Sequence, residues 1–171
     1  WGNHDLLWMG AYAGNAACLC HLLRIATRYQ YLYDIEKAYG INLRPLFLFA
    51  EKTYHANPAF TPKGKLDADQ LILEQVHQAL SIMQFKLEGQ IATRRPELKM
   101  SMYDVLSKID YENNTIDIDG PTYKIENPCF QTVNPKQPLQ LTKAEQAVLE
   151  SLMYSFQHSL KMKKHMEFLM K

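Results

Sequence analysis

Hydrophobic residues recur at helical spacing over most of the chain, and this periodicity predicts a mainly helical fold. The first helical run extends from Asp5 to about Tyr33, and the pair Gly14-Asn15 is expected to interrupt it. A shorter run over residues 34–39 is expected to end at Gly40. Glycine is common there because it accepts the left-handed backbone conformation that closes many helices.

Further helices are predicted in the middle of the chain. Asn42 can cap one of them, with Pro45 in its first turn. A loop over residues 57–65 should separate it from the most regular helix, which Asp67 is expected to cap and Gly89 to end or bend. That helix has an apolar face and an opposite polar face. The apolar residues are Ile72, Val76, Ala79, Leu80, Met83 and Leu87, and the polar ones are Glu74, Gln75 and Gln78.

The pattern changes towards the C-terminal third of the chain. Ser101 is expected to cap a helix that runs to Lys108. Residues 109–111, 115–118 and 122–125 then alternate between apolar and polar, with turn-forming residues between them, which predicts a small antiparallel meander. After a proline-rich loop, a capping box at residues 142–145 is expected to open one long final helix.

The expected fold is therefore mainly α with a small antiparallel β meander, an α+β chain. We divide it into a helical segment at 1–108, the meander at 109–126, and a proline-rich loop with the long C-terminal helix at 127–171. Because the chain starts with Trp1 rather than Met and its last helix has no stop signal, we expect it to be an internal piece of a longer protein.

Composition excludes several classes of protein. The 171 residues are 47% hydrophobic and 22% charged, and the formal net charge is only +1, without a long run of like charge. That balance argues against a general nucleic-acid or membrane-surface binder. No apolar run approaches the roughly 18 residues that cross a bilayer, and the N-terminus lacks the features of a signal peptide. Three cysteines cannot all pair, so a reducing, cytoplasmic location is expected.

The strongest chemical signal is the tetrapeptide Gly2-Asn3-His4-Asp5. Phosphoesterases with two metals use such a motif, and their cations lie roughly 3.5–4 Å apart. The amide oxygen of Asn3 is a hard, neutral ligand that suits Mn, Mg or Fe. His4 suits a role beside the phosphate, where it can stabilise charge or protonate the leaving oxygen. Asp5 can cap a helix that starts here. The alternative is an exposed N-terminal tripeptide that only caps this helix.

Longer stretches around this motif resemble the class III fructose-1,6-bisphosphatases of Firmicutes and related bacteria, within the calcineurin-like metallophosphoesterases. The resemblance covers essentially the whole chain. The segments that carry it are residues 1–19 (WGNHDLLWMGAYAGNAACL), 39–46 (YGINLRPL), 57–60 (NPAF), 84–88 (QFKLE), 94–96 (RRP), 127–130 (NPCF), 134–135 (NP), 156–159 (FQHS) and 165–166 (HM).

The resemblance implies a parent enzyme that hydrolyses fructose 1,6-bisphosphate to fructose 6-phosphate and phosphate in gluconeogenesis. It also implies a divalent metal of the Mn type, with Asn3 as a metal ligand and His4 as the catalytic histidine. This chain would be a helical insertion on an αββα phosphatase sandwich. The other metal-binding motifs of these enzymes, Asp-x-His and Gly-Asp-x-x-Asp, do not occur in this sequence. We therefore expect the isolated chain to bind no metal and to be inactive.

Other residues are weaker candidates. Arg24, Arg44, Arg94 and Arg95 can each contact a phosphate, because the guanidinium group matches phosphate oxygens. His158 and His165 are seven residues apart, which allows a metal pair on one helix face but is more typical of two unrelated side chains. The alternative function is a non-catalytic helical module for regulation or oligomerisation. The expected partners are the sugar bisphosphate and the rest of the phosphatase, with a homo-oligomer as an option.

Overall fold

In a computed structural model, the chain is described over residues 2–64 and 69–170, with the side chain of Asn3 outside this description. The described part folds mainly into α-helices. Their bounds are α1, Asn3–Tyr12; α2, Ala16–Arg28; α3, Leu32–Tyr39; α4, Arg44–Thr53; α5, Gln70–Arg94; α6, Lys143–His158; and α7, Leu160–Leu169. None of these helices is both long enough and apolar enough to span a membrane.

A three-stranded antiparallel sheet follows α5. Its strands are β1, Ile109–Asp110; β2, Thr115–Asp117; and β3, Thr122–Lys124. Ile109 pairs with Ile116, and Ile116 pairs in turn with Tyr123. The predicted meander is thus confirmed, and with the helices it confirms the mainly α, α+β fold class.

Helix α5 lies at the centre of the packing, against α2 on one side and α4 on another. The prediction that its polar residues form an exposed face is wrong, because Glu74, Gln75 and Gln78 are all buried. Their side chains satisfy the backbone of the neighbouring loop instead. Gln75 donates to the carbonyl of Tyr54 at 2.6 Å, and Gln78 donates to the carbonyl of His55 at 2.7 Å.

An ion pair inside the core joins α5 to α6. Lys86 Nζ lies 2.8 Å from Glu145 Oε2, and neither side chain has any exposed surface. Lys86 also donates to the carbonyl of Thr132 at 2.7 Å, while Glu145 accepts from the Thr132 hydroxyl and from the Thr142 amide. These contacts fasten the proline-rich loop to both helices.

Several helix ends follow the sequence signals. Gly40 closes α3 with φ of 67°, Pro45 lies in the first turn of α4, and Thr142 forms the capping box of α6 with Glu145. Asn42 accepts from the Arg44 amide at 3.2 Å, although Leu43 is the capping residue. The predicted cap at Asp67 lies outside the described residues.

Gly89 does not end α5, which continues to Arg94. A Cβ at Gly89 would lie 2.5 Å from Leu139 Cδ2. The glycine therefore lets the proline-rich loop approach the helix closely.

Two other helix predictions are wrong. Residues 101–108 form two 3₁₀ turns, Ser101–Tyr103 and Leu106–Lys108, because Asp104 leaves the helical conformation and accepts from the Ser107 amide. The long C-terminal helix is divided at Ser159, whose backbone is extended. Its hydroxyl accepts from the Met162 amide and donates to the Tyr39 carbonyl, so it starts a new helix and joins it to α3.

Candidate functional site

The Asn-His-Asp motif begins helix α1. The Gly2 amide donates to the carboxylate of Asp5 at 3.0 Å, so Asp5 caps the first turn. The side chain of His4 is exposed to solvent at this end of the helix. The side chain of Asn3, the predicted metal ligand, lies outside the described part of the chain.

Helix α1 is held tightly along its length. At Gly10 a Cβ would lie 2.6 Å from Cys18 Sγ, so α1 and α2 cross at a distance that only glycine allows. Trp8 packs against three rings, with centroid distances of 5.2 Å to Tyr39, 6.1 Å to Phe156 and 5.8 Å to His165. Because His4 is four residues before Trp8, it projects from an anchored helix.

Three basic side chains follow one face of α2 beside α1 and α5. His21, Arg24 and Arg28 are spaced by three and four residues, which places them on adjacent turns. We call these three residues the α2 basic row. His21 and Arg24 are half-buried and Arg28 is exposed.

The basic row and His4 share one electrostatic environment. Burial lowers the pKa of His21, and the nearby charges of Arg24 and His4 lower it further, whereas Glu88 on α5 opposes the shift. Burial also lowers the pKa of Arg24, and the charge of Glu88 again opposes the shift. The charge of His4 thus lies close enough to α2 to lower the pKa of His21.

Helix α5 adds a polar side chain beside this row. Gln84 is 2% exposed, and its Nε2 donates to Glu88 at 2.6 Å. Within residues 2–64 and 69–170, its Oε1 has no hydrogen-bond partner. An amide oxygen buried without a donor is costly.

The other arginine candidates lie elsewhere. Arg44 borders a shallow groove between α4 and α5, together with Glu51 and Asp69. Arg94 lines a cavity of about 320 Å³ at the turn between α1 and α2, at the opposite end of α1 from His4. Arg95 forms an exposed ion pair with Glu97. Of the four, Arg24 is the one whose charge acts on His21 together with that of His4.

The remaining histidines do not form a metal pair. Ser159 separates the helices that carry His158 and His165. His158 stacks on Tyr154 at 3.9 Å, and His165 Nδ1 is hydrogen-bonded to the Tyr39 hydroxyl at 2.8 Å. No group of three His, Cys, Asp or Glu side chains that could hold a metal occurs within the described ranges. These ranges alone therefore do not fit a divalent metal site.

Sequence reasoning passed over three of these residues. His21 has no partner at metal-ligand spacing, and Gln84 and Glu88 belong to a helix that was expected to be amphipathic. The available signal was the spacing of His21, Arg24 and Arg28, which places three basic side chains on one helix face.

Comparisons with known proteins identify the family of the chain. A family model described as Firmicute fructose-1,6-bisphosphatase matches residues 1–171. Proteins named fructose-1,6-bisphosphatase class 3 are similar to the chain in Ligilactobacillus salivarius, with 52% identity over 99% of the chain, and in Streptococcus sanguinis, with 52% over 99%. The protein of the same name in Oceanobacillus iheyensis is 54% identical over 100% of the chain. No solved structure matches.

The chain therefore belongs to the Firmicute fructose-1,6-bisphosphatase family. It spans only 28% of the length of the Ligilactobacillus salivarius protein and 27% of the Oceanobacillus iheyensis protein.

Proposed function

We propose that this chain contributes one part of the active centre of a fructose-1,6-bisphosphatase. The reaction would be the metal-dependent hydrolysis of fructose 1,6-bisphosphate to fructose 6-phosphate and phosphate, as part of gluconeogenesis. The observation that carries the proposal is the exposed His4 directly after Asn3, at the start of a helix that is anchored by Gly10 and Trp8. His4 is thus accessible, and it projects from a helix that is held in place.

The two residues of the motif would have different tasks. The amide oxygen of Asn3 would bind a divalent cation, with Mn as the preferred ion. Such a cation supplies an activated water and withdraws charge from the phosphoryl oxygens. His4 would donate a proton to the leaving oxygen or stabilise the charge that develops on the phosphate. The remaining metal ligands would come from parts of a family protein outside this segment.

The free thiols of Cys18, Cys20 and Cys129 support a reducing, cytoplasmic setting as part of the same proposal.

His4 is tested by substitution in a full-length family protein that carries this segment. His4→Ala should lower kcat for fructose 1,6-bisphosphate with Mn by about 10²- to 10⁴-fold, because general acid catalysis is lost. The matched control is His158→Ala, which removes an exposed histidine on α6 and should leave kcat within twofold. Equal activity of the His4 variant and the parent would contradict the proposed role.

A non-catalytic module for regulation or oligomerisation is the second candidate. Large apolar side chains on α6 and α7 favour it, since Tyr154, Leu160 and Phe168 are 65%, 77% and 76% exposed. If the chain has its own effector, the ligand should raise its melting temperature without metal. If it only assembles with further copies, dilution should shift the sedimentation coefficient.

A further inference from the structure

The two arginines of the α2 basic row lack hydrogen bonds and ion pairs among the described residues. No hydrogen bond or ion pair involves the guanidinium group of Arg24 or Arg28 in the described part of the chain, where the ion pairs are Lys86–Glu145 and Arg95–Glu97. A guanidinium group carries five N–H donors in a planar fork that matches phosphate oxygens. Two such groups on successive turns are therefore available to one anion.

Arg24 is also held in position. Its guanidinium carbon lies 5.8 Å from the centroid of the Phe85 ring on α5, and its side chain is half-buried between the two helices. The contact with the ring fixes the stem of the side chain, so less entropy is lost when the fork binds an anion. Glu88 offsets part of the positive charge but forms no ion pair with Arg24 among the described residues.

The substrate of the proposed reaction supplies such an anion. It carries a phosphate at each end of a sugar, and only one of them is cleaved in a catalytic cycle. We propose, on the basis of the function given above, that Arg24 and Arg28 bind the phosphate that is not cleaved, with His21 beside them. His4, at the neighbouring end of α1, faces the phosphate that is cleaved. The row would then select bisphosphates over simple phosphate esters.

The test compares a substrate with two phosphates and a substrate with one, using a full-length family protein that carries this segment. Arg24→Met keeps the apolar stem on Phe85 but removes the fork. It should raise KM for fructose 1,6-bisphosphate by roughly 10- to 100-fold, the range expected for loss of a charged hydrogen bond. Hydrolysis of p-nitrophenyl phosphate, which has no second phosphate, should change by less than twofold. Arg28→Gln, at an exposed position, should act in the same direction.

The control is Lys37→Gln, which removes one positive charge from an exposed position on α3. It should leave the hydrolysis of both substrates unchanged. Melting temperatures of all variants should agree within a few degrees. If both row variants leave KM for fructose 1,6-bisphosphate within twofold, or if they affect the two substrates equally, the assignment is wrong.

A binding measurement separates this proposal from the proposed reaction. If the parent protein hydrolyses neither substrate, the reaction fails, and calorimetry with inorganic phosphate then tests the row alone. Weaker phosphate binding by Arg24→Met than by Lys37→Gln would support an anion site, and equal binding would overturn it.

Discussion

His77 shows how a single buried side chain responds to its surroundings. It is 6% exposed, packs edge-on against Phe60 at 5.3 Å, and is hydrogen-bonded through Nδ1 to the Phe60 carbonyl at 2.9 Å. Burial lowers its pKa, and the charges of Arg24 and Arg28 lower it further, while the bond to Phe60 opposes the shift. Folding thus disfavours the protonated form of His77.

This shift predicts a pH-dependent stability. The unfolded chain binds a proton at His77 near pH 6.5, whereas the folded chain binds it only at lower pH. The free energy of unfolding should therefore be highest above about pH 6.5 and should fall as pH drops towards the lowered pKa, by at most about 1.4 kcal/mol per pH unit for one site. His21, whose pKa is also lowered, should add to the effect.

Urea unfolding of the 171-residue chain at pH 7.5 and pH 5.5 measures this dependence. His77→Gln should lose less stability between the two pH values than the parent chain does. His158→Gln, an exposed matched control, should behave as the parent. If the His77→Gln variant loses as much stability between the two pH values as the parent chain, the pH dependence comes from other groups.

Pairs of helices are joined by polar contacts as well as by apolar packing. Lys86 on α5 is buried and forms an ion pair with Glu145 on α6. The same carboxylate also accepts from the Thr142 amide in the cap of α6. Removal of one member leaves the other charged and buried, which is more costly than loss of the pair.

Lys86→Met should therefore destabilise the 171-residue chain by about 3–5 kcal/mol, measured by urea unfolding. Glu145→Gln in the same chain should recover part of this loss, because the uncompensated charge is removed. The double-mutant cycle should give a clear coupling between the two sites. A cost below about 1 kcal/mol for the single variant would be typical of an exposed pair instead.

The helices also show which structural features can be predicted from the sequence and which cannot. The capping box of α6 and the glycine that closes α3 depend on neighbouring residues, so local pattern predicts them. The burial of Glu74, Gln75 and Gln78 depends on loop backbone groups about twenty positions away in sequence, which periodicity does not detect. Gln75 and Gln78 donate to the carbonyls of Tyr54 and His55, and Glu74 accepts from the Asn57 amide. The break at Ser159 likewise depends on its contact with Tyr39.

For the candidate site, the motif alone predicts Asn3 and His4, because its residue types carry specific chemistry, and both assignments stay predictions. It does not rank the arginines, since all four candidates are equal in sequence. Their separation into distinct places follows from the packing of α2 against α1 and α5. The division into segments 1–108, 109–126 and 127–171, and the attachment to a phosphatase sandwich, stay predictions.

At the scale of the whole molecule, the chain has a continuous apolar core but covers only part of its relatives. The core joins residues of α2, α4 and α5 to residues of α6 and α7, including Leu23, Leu46, Leu80, Leu152 and Met166. We therefore expect the chain to fold cooperatively while still lacking turnover of its own, since Asn3 and His4 are only part of the metal and acid set that the reaction needs.

Phosphate release from fructose 1,6-bisphosphate with Mn should thus be undetectable for the 171-residue chain. A full-length family protein that carries the segment should show turnover under the same conditions. Turnover by the shorter chain would mean that it assembles a complete metal centre, contrary to our expectation.

The fluorescence of Trp8 should report on the position of helix α1. Its indole is enclosed by Tyr39, Phe156 and His165, one helical turn after His4. Tryptophan emission depends on such surroundings, and the chain contains only one other indole, at Trp1. In a Trp1→Phe background, only Trp8 emits. The wavelength of its emission, and the quenching of that emission by the imidazole of His165, would report whether α1 keeps these contacts when a phosphate ester binds beside His4.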